Sequence, residues 1–171
     1  LNWNTTGTFD PIGTQVTSGN PGVIAFPATA GSAQIFSSFF QSTLIAPSIK
    51  LGGGILSVNW VIKIVTLSAA SPRYTFRCGL GDTNSGSVDQ ANGIYFEYSD
   101  NINSGNWVGK TANASTRTTT NSSIAVATGW VNLAISINPA ATSVSFLVNG
   151  TSLGTATTTN IPTTNPITPL L

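Results

Sequence analysis

Gly129-Trp130-Val131-Asn132-Leu133-Ala134-Ile135-Ser136-Ile137-Asn138-Pro139 and, after a short polar link, Val144-Ser145-Phe146-Leu147-Val148-Asn149-Gly150-Thr151-Ser152-Leu153-Gly154 decide the fold. Val131, Leu133, Ile135 and Ile137 alternate with Asn132, Ala134 and Ser136, the period of a half-buried strand. Val144, Phe146 and Val148 repeat the pattern. Asn149-Gly150 is a strong two-residue hairpin signal, because both turn positions need positive φ. The stretch therefore predicts strand, turn, strand, turn, strand.

Working towards the N-terminus, Gly93-Ile94-Tyr95-Phe96-Glu97-Tyr98 reads as a strand with Ile94, Phe96 and Tyr98 facing the core. Arg73 to Leu80 is another, and Gly81 to Gly93 joins them as a polar loop. The longest strand is predicted over Ile55 to Leu67. Its second face mixes Ile55, Val61 and Val65 with Ser57, Asn59 and Lys63, which predicts a central position covered in part on both faces. Residues 106–109, 112–118 and 123–127 are weaker strand segments, as are 23–26, 33–40 and 43–45. Residues 1–22 form an irregular entry, and the Pro/Thr-rich tail 160–171 reads as loop or edge, because proline cannot donate to a ladder. Strands at intervals of about ten residues predict one antiparallel β-sandwich domain over 1–171.

Composition agrees with that class. Only 6% of the 171 residues are charged, against a usual quarter, and polarity comes from 25 Thr, 20 Ser and 16 Asn. Disorder would require low hydrophobicity with high net charge, and this chain has neither. Net charge is +1 with no basic run, so there is no electrostatic footprint for nucleic acid. No apolar run reaches the roughly 18 residues of a membrane-spanning helix. The balance fits a rigid extracellular or virion protein. Cys78 is the single cysteine, and with no His in the chain it has no base to make it a catalytic thiol. It reads as a small buried apolar residue. Four Asn-x-Ser/Thr sequons, at Asn4, Asn113, Asn121 and Asn149, are what chance produces in so Asn- and Thr-rich a chain.

A series of motifs then suggests a family. Leu51-Gly52-Gly53-Gly54 precedes the long strand, and Arg73-Tyr74-Thr75-Phe76-Arg77-Cys78-Gly79-Leu80-Gly81-Asp82 follows it. Next come Gly93 to Tyr98, Asn106-Trp107, Val126-Ala127-Thr128-Gly129-Trp130, the hairpin to Gly150, and Thr159-Asn160-Ile161-Pro162. This order resembles bacteriophage virion proteins, of tail-fibre, collar or head-decoration type, with concanavalin A-like, laminin G-like jelly-roll domains. The resemblance spans about residues 50–162. It implies a jelly-roll sandwich and a non-enzymatic structural protein on the virion surface, in contact with other virion proteins and with host surface glycans. By analogy with fibres it implies a homo-oligomer, a trimer in particular. A secreted or cell-surface carbohydrate-binding module is the second reading. Such domains usually continue past the Pro-rich loop into a last apolar strand. The given sequence stops at Pro169-Leu170-Leu171, so either more chain follows or an edge is open, and completion of the sheet by a neighbouring subunit or segment is expected.

Three chemistries bear on the function. Glycoside hydrolysis needs two carboxylates roughly 5 Å apart for retention or 6.5–9.5 Å for inversion. Glu97 alternates with Tyr95 and Ser99, Asp100 has the opposite parity, and no local acid pair forms, so no catalytic residue is assigned. Calcium is the only cofactor considered: Asp82, Asn84 and Asp89 lie in a polar loop, which lacks the sixth-position Gly and twelfth-position Glu of an EF-hand. A polar turn is the simpler reading. A glycan site needs an exposed aromatic with amide neighbours, and Trp107 with Asn101 and Asn106 is the best grouping, joined by Tyr95 on the solvent-side parity of its strand, with a cap on the core as the simpler reading of Trp107. Trp3, Trp60 and Trp130 are expected in the core.

Overall fold

A computed structural model describes residues 49–82 and 89–170. Its strands are β1 (Leu56–Ile64), β2 (Phe76–Gly81), β3 (Gly93–Tyr98), β4 (Asn106–Asn113), β5 (Thr116–Ala125), β6 (Gly129–Ile137), β7 (Val144–Val148), β8 (Thr151–Ser152) and β9 (Thr168–Leu170). They form two sheets, ordered β1-β6-β7-β8 and β5-β4-β3-β2-β9, and every pairing is antiparallel. The domain is an all-β, antiparallel β-sandwich of jelly-roll type.

The core follows from period-two alternation. Val131, Leu133, Ile135 and Ile137 on β6 and Val144, Phe146 and Val148 on β7 are all buried. They meet Ile94, Phe96 and Tyr98 on β3 and Trp107 on β4. Phe96 touches Phe146 across the sandwich, edge to face, with ring centroids 5.3 Å apart. The sheets approach closely because β4 carries Gly109 where they meet: a Cβ there would lie 2.6 Å from the Phe146 ring. The Asn149-Gly150 turn has φ of 49° and 81°, as its dipeptide demands.

The structure refines four expectations. Among the described residues β1 pairs only with β6, and its outward residues are exposed; the irregular entry 1–22 and the strand segments 23–26, 33–40 and 43–45 lie outside the described residues. The weak segments 106–109, 112–118 and 123–127 resolve into two strands, β4 and β5. They are joined at Ala114-Ser115, both with positive φ, a turn without the usual Asn or Gly signal. Leu170 and its neighbours add a short last strand to the second sheet: β9 pairs with Gly79–Gly81 of β2, and Ile167 bridges Ile49 beside it. Pro169 is tolerated there because β9 is short and lies at the sheet margin. Lastly, Trp130 is not in the core. Trp60 is buried as expected, but Trp130 has the parity opposite to Val131 and Leu133 and is 50% exposed. Trp3 lies outside the described residues.

Candidate functional site

The outward face of the five-stranded sheet holds the largest cluster of ionisable groups among the described residues. Arg77 on β2 stands opposite Glu97 on β3, with Nε 2.6 Å from Oε2. Lys110 on β4 stands opposite Tyr95, and its Nζ reaches Glu97 Oε1 at 2.6 Å, an ion pair without an aligned hydrogen bond. Asp89, just before β3, folds back onto this face. It accepts from Arg77 Nη2 at 2.8 Å and Lys110 Nζ at 3.1 Å, and Arg117 Nε lies 3.4 Å away. Arg117 also donates to the backbone carbonyls of Asp89 and Gln90. Three cations therefore enclose two carboxylates.

Glu97 and Asp89 do form an acid pair, which local spacing could not reveal, because a loop return brings Asp89 to the strand. Burial by itself would raise the Asp89 carboxyl. Contact with Glu97 and Lys110 and the charges of Lys110 and Arg77 outweigh it and hold Asp89 below the usual carboxylate range. That direction opposes general-acid work, which needs a raised pKa. Both carboxylates are bound to guanidinium or ammonium groups, and Glu97 is 1% exposed.

The proposed glycan residues are placed apart. Trp107 is 2% exposed, its ring packed edge-on against Phe76 and Phe96, with centroids 6.2 Å away in each case. It stands on the core parity of β4, so the ring presents no face to a sugar. Tyr95 has the outward parity expected of it and is nevertheless fully buried. The returning segment covers this face: Gln90 lies against Gly81 and Gly93 beside the Tyr95 ring. Burial, then the charges of Asp89 and Glu97, push the Tyr95 phenol up. Among the described residues its hydroxyl has no hydrogen bond of good geometry. Asn101 is exposed in the turn after β3, and Asn106 is half-buried at the start of β4. The four do not converge on one surface.

The calcium loop divides in the same way. Asn84 lies outside the described residues. Asp82 accepts from Asn92 Nδ2 at 2.6 Å, and Asp89 is held by cations. That chemistry does not fit a divalent cation at Asp89, where positive charge already saturates the carboxylate. Cys78 is a free, fully buried thiol whose pKa burial pushes well up, as an inert core cysteine requires.

A different surface is exposed. The outward side of β1 and β6 carries Val61, 66% exposed, and Trp130, with Ile55 and Val65 flanking β1 at 74% and 75%. Lys63 stands opposite Trp130, and its ammonium lies 5.8 Å from the ring centroid. Sequence alternation shows which residues share that face; it does not show that β1 is paired on one side only among the described residues. No curated protein matches the chain. A family model matches residues 20–168, most of the length, and the chain belongs to that family, described as SO2946-like, C-terminal domain.

Proposed function

We propose that this domain is a non-enzymatic structural module of a virion surface, on a fibre, collar or capsid, that works as a homo-oligomer alongside other virion proteins. The observation that carries the reading is a contrast between the two sheets. The described ionisable clusters are engaged with one another, Arg77, Lys110 and Arg117 with Asp89 and Glu97, and Arg73 with Asp100. The four-stranded sheet instead exposes Val61 and Trp130 on its outer face, with Ile55 and Val65 beside β1, and among the described residues β1 is paired on one side only. A protein that assembles with its own kind needs such a face, and charge is depleted at the centre of interfaces. The resemblance to phage virion domains and the 6% charged composition support the same reading.

Light scattering on the purified chain across a dilution series tests it. A persistent oligomer is expected. A monomer at every concentration overturns it.

One observation favours the second reading, a carbohydrate-binding module. Among the described residues Trp130 is the most exposed aromatic, so a sugar would stack there and not on Trp107. Glycan-array binding that is lost in Trp130→Ala would establish this reading in place of the first.

A further inference from the structure

We propose that Lys110 and Asp89 condense into an intramolecular amide, Nζ to Cγ, with Glu97 relaying the protons, so that the folded chain staples the entry of β3 to β4. The bond goes beyond the structural role above and does not depend on it.

Placement is the first support. Lys110 Nζ lies 3.1 Å from Asp89 Oδ2 and 2.6 Å from Glu97 Oε1. The Asp89 and Glu97 carboxyls also touch one another. An amine, the carboxyl it would acylate and a second carboxyl are thus in mutual contact. Glu97 and Lys110 share one face of neighbouring strands, Glu97 opposite Val108 and Lys110 opposite Tyr95, so the ladder fixes their separation. Chemical identity is the second support. Arg77 and Arg117 complete the enclosure, but a guanidinium keeps its proton in proteins. Lys110 is the cation of this cluster that can give one up and become a nucleophile.

Exclusion of water is the third. The Lys110 side chain is 13% exposed and that of Glu97 1%. In bulk water an amine and a carboxylate stay apart, whereas a pair held in reacting geometry gains an effective concentration of about 10⁵–10⁸ M. The two arginines are the fourth. Arg77 Nη2 lies 2.8 Å from Asp89 Oδ1, and Arg117 Nε 3.4 Å from Oδ2. They offset the carboxylate charge that an incoming amine would meet, and they face the oxygens on which charge builds as nitrogen adds to Cγ.

The step balances without a further reactant. The Lys110 ammonium gives one proton to Glu97, and the free amine adds to Asp89 Cγ. The nitrogen then gives up a second proton. Both protons pass to Oδ2, which leaves as water, while Oδ1 stays as the amide carbonyl and Nζ keeps one hydrogen. Glu97 ends as it began, and Asp89 supplies no proton. One cation and one anion disappear together, which leaves Arg77 paired with Glu97. The chain has one cysteine and so no intrachain disulfide. An amide from Asp89 to Lys110 would close a loop across β3 and restrict the unfolded chain as a disulfide does.

Mass spectrometry tests the bond. Folded chain, held at neutral pH and then denatured, is expected to weigh one water less than its sequence. Trypsin should fail to cut after Lys110, leaving 78–117 as one peptide between the cuts after Arg77 and Arg117. Chymotryptic cuts after Tyr95, Phe96 or Tyr98 should leave the Asp89 and Lys110 fragments joined. Lys110→Arg and Glu97→Gln should each show the full sequence mass. The joined fragment identifies the bond whether or not either variant folds. A wild-type chain of full mass that is cut after Lys110 overturns the proposal and leaves the cluster as ion pairs, with the structural role untouched. A missing water that persists in Lys110→Arg also overturns it, since an aspartate cyclised onto its own backbone loses the same mass.

Discussion

Arg77 and Glu97 face one another across the β2–β3 ladder, Nε to Oε2 at 2.6 Å, in a position where Glu97 is almost completely excluded from solvent. The pair anchors the return of the chain before β3, because Arg77 also holds Asp89. Removing one member of a buried ion cluster costs more than the pair contributes, since the remaining charges stay desolvated. Glu97→Gln leaves Arg77, Lys110 and Arg117 sharing a single carboxylate. The expected loss of unfolding free energy is about 3 kcal/mol, read from the urea midpoint at neutral pH. A change within about 0.5 kcal/mol, the range of ordinary surface substitutions, would show that the cluster is well solvated.

Asp100 contributes to the acid limb of stability, alongside Asp89. Its carboxylate takes a two-pronged contact from Arg73, with Nε 3.0 Å from Oδ1 and Nη2 3.0 Å from Oδ2, and accepts from the Ser68 hydroxyl at 2.7 Å. The Arg73 hydrogen bonds first, then that of Ser68, hold its pKa down at about 2. A carboxyl with a lowered folded pKa contributes stability above its unfolded value, near 4, and loses it as pH falls towards the folded value. Thermal midpoints should therefore drop between about pH 4 and pH 2. Asp100→Asn should flatten that part of the profile, and a variant curve parallel to the wild type would contradict the assignment.

The extent to which these features could be read from the chain depends on their range. Alternation and the Asn149-Gly150 turn are local, and the 129–156 hairpin was legible for that reason. The Glu97–Asp89 pairing is a loop return, invisible to parity. Tyr95 shows the same limit: parity pointed it away from the core correctly, but whether that side meets water depends on Asp89 and Gln90 folding over it. Trp107 was ambiguous because a tryptophan beside Asn106 suits a sugar site and a core equally well. Which strands flank β1 is a property of the whole sheet, and a mixed outward row reads the same for a central strand as for an edge.

Trp107 and Tyr95 should then differ sharply on substitution, though both are buried. Trp107→Ala removes a ring in contact with Phe76, Phe96 and Tyr98 and should cost about 3–5 kcal/mol. Tyr95→Phe deletes a buried hydroxyl without an aligned partner and should be neutral, or stabilising by about 1 kcal/mol. Paired chemical melts check both. A large cost for Tyr95→Phe would mean that the hydroxyl makes a stabilising contact with the charge cluster.

Gly109 gives the most direct measure of how closely the two sheets pack. Any Cβ at this position falls 2.6–2.9 Å from three carbons of the Phe146 ring, well inside contact distance. Phe146 cannot retreat easily, because its ring is already in edge contact with Phe96. Gly109→Ala should therefore destabilise by about 1–3 kcal/mol through overpacking, although alanine suits a strand at least as well as glycine. Gly109→Ala combined with Phe146→Leu should recover part of the loss, since leucine withdraws the ring that obstructs the methyl. A double variant no more stable than the sum of its single changes predicts would place the cost in the β4 backbone and not in the contact between the sheets.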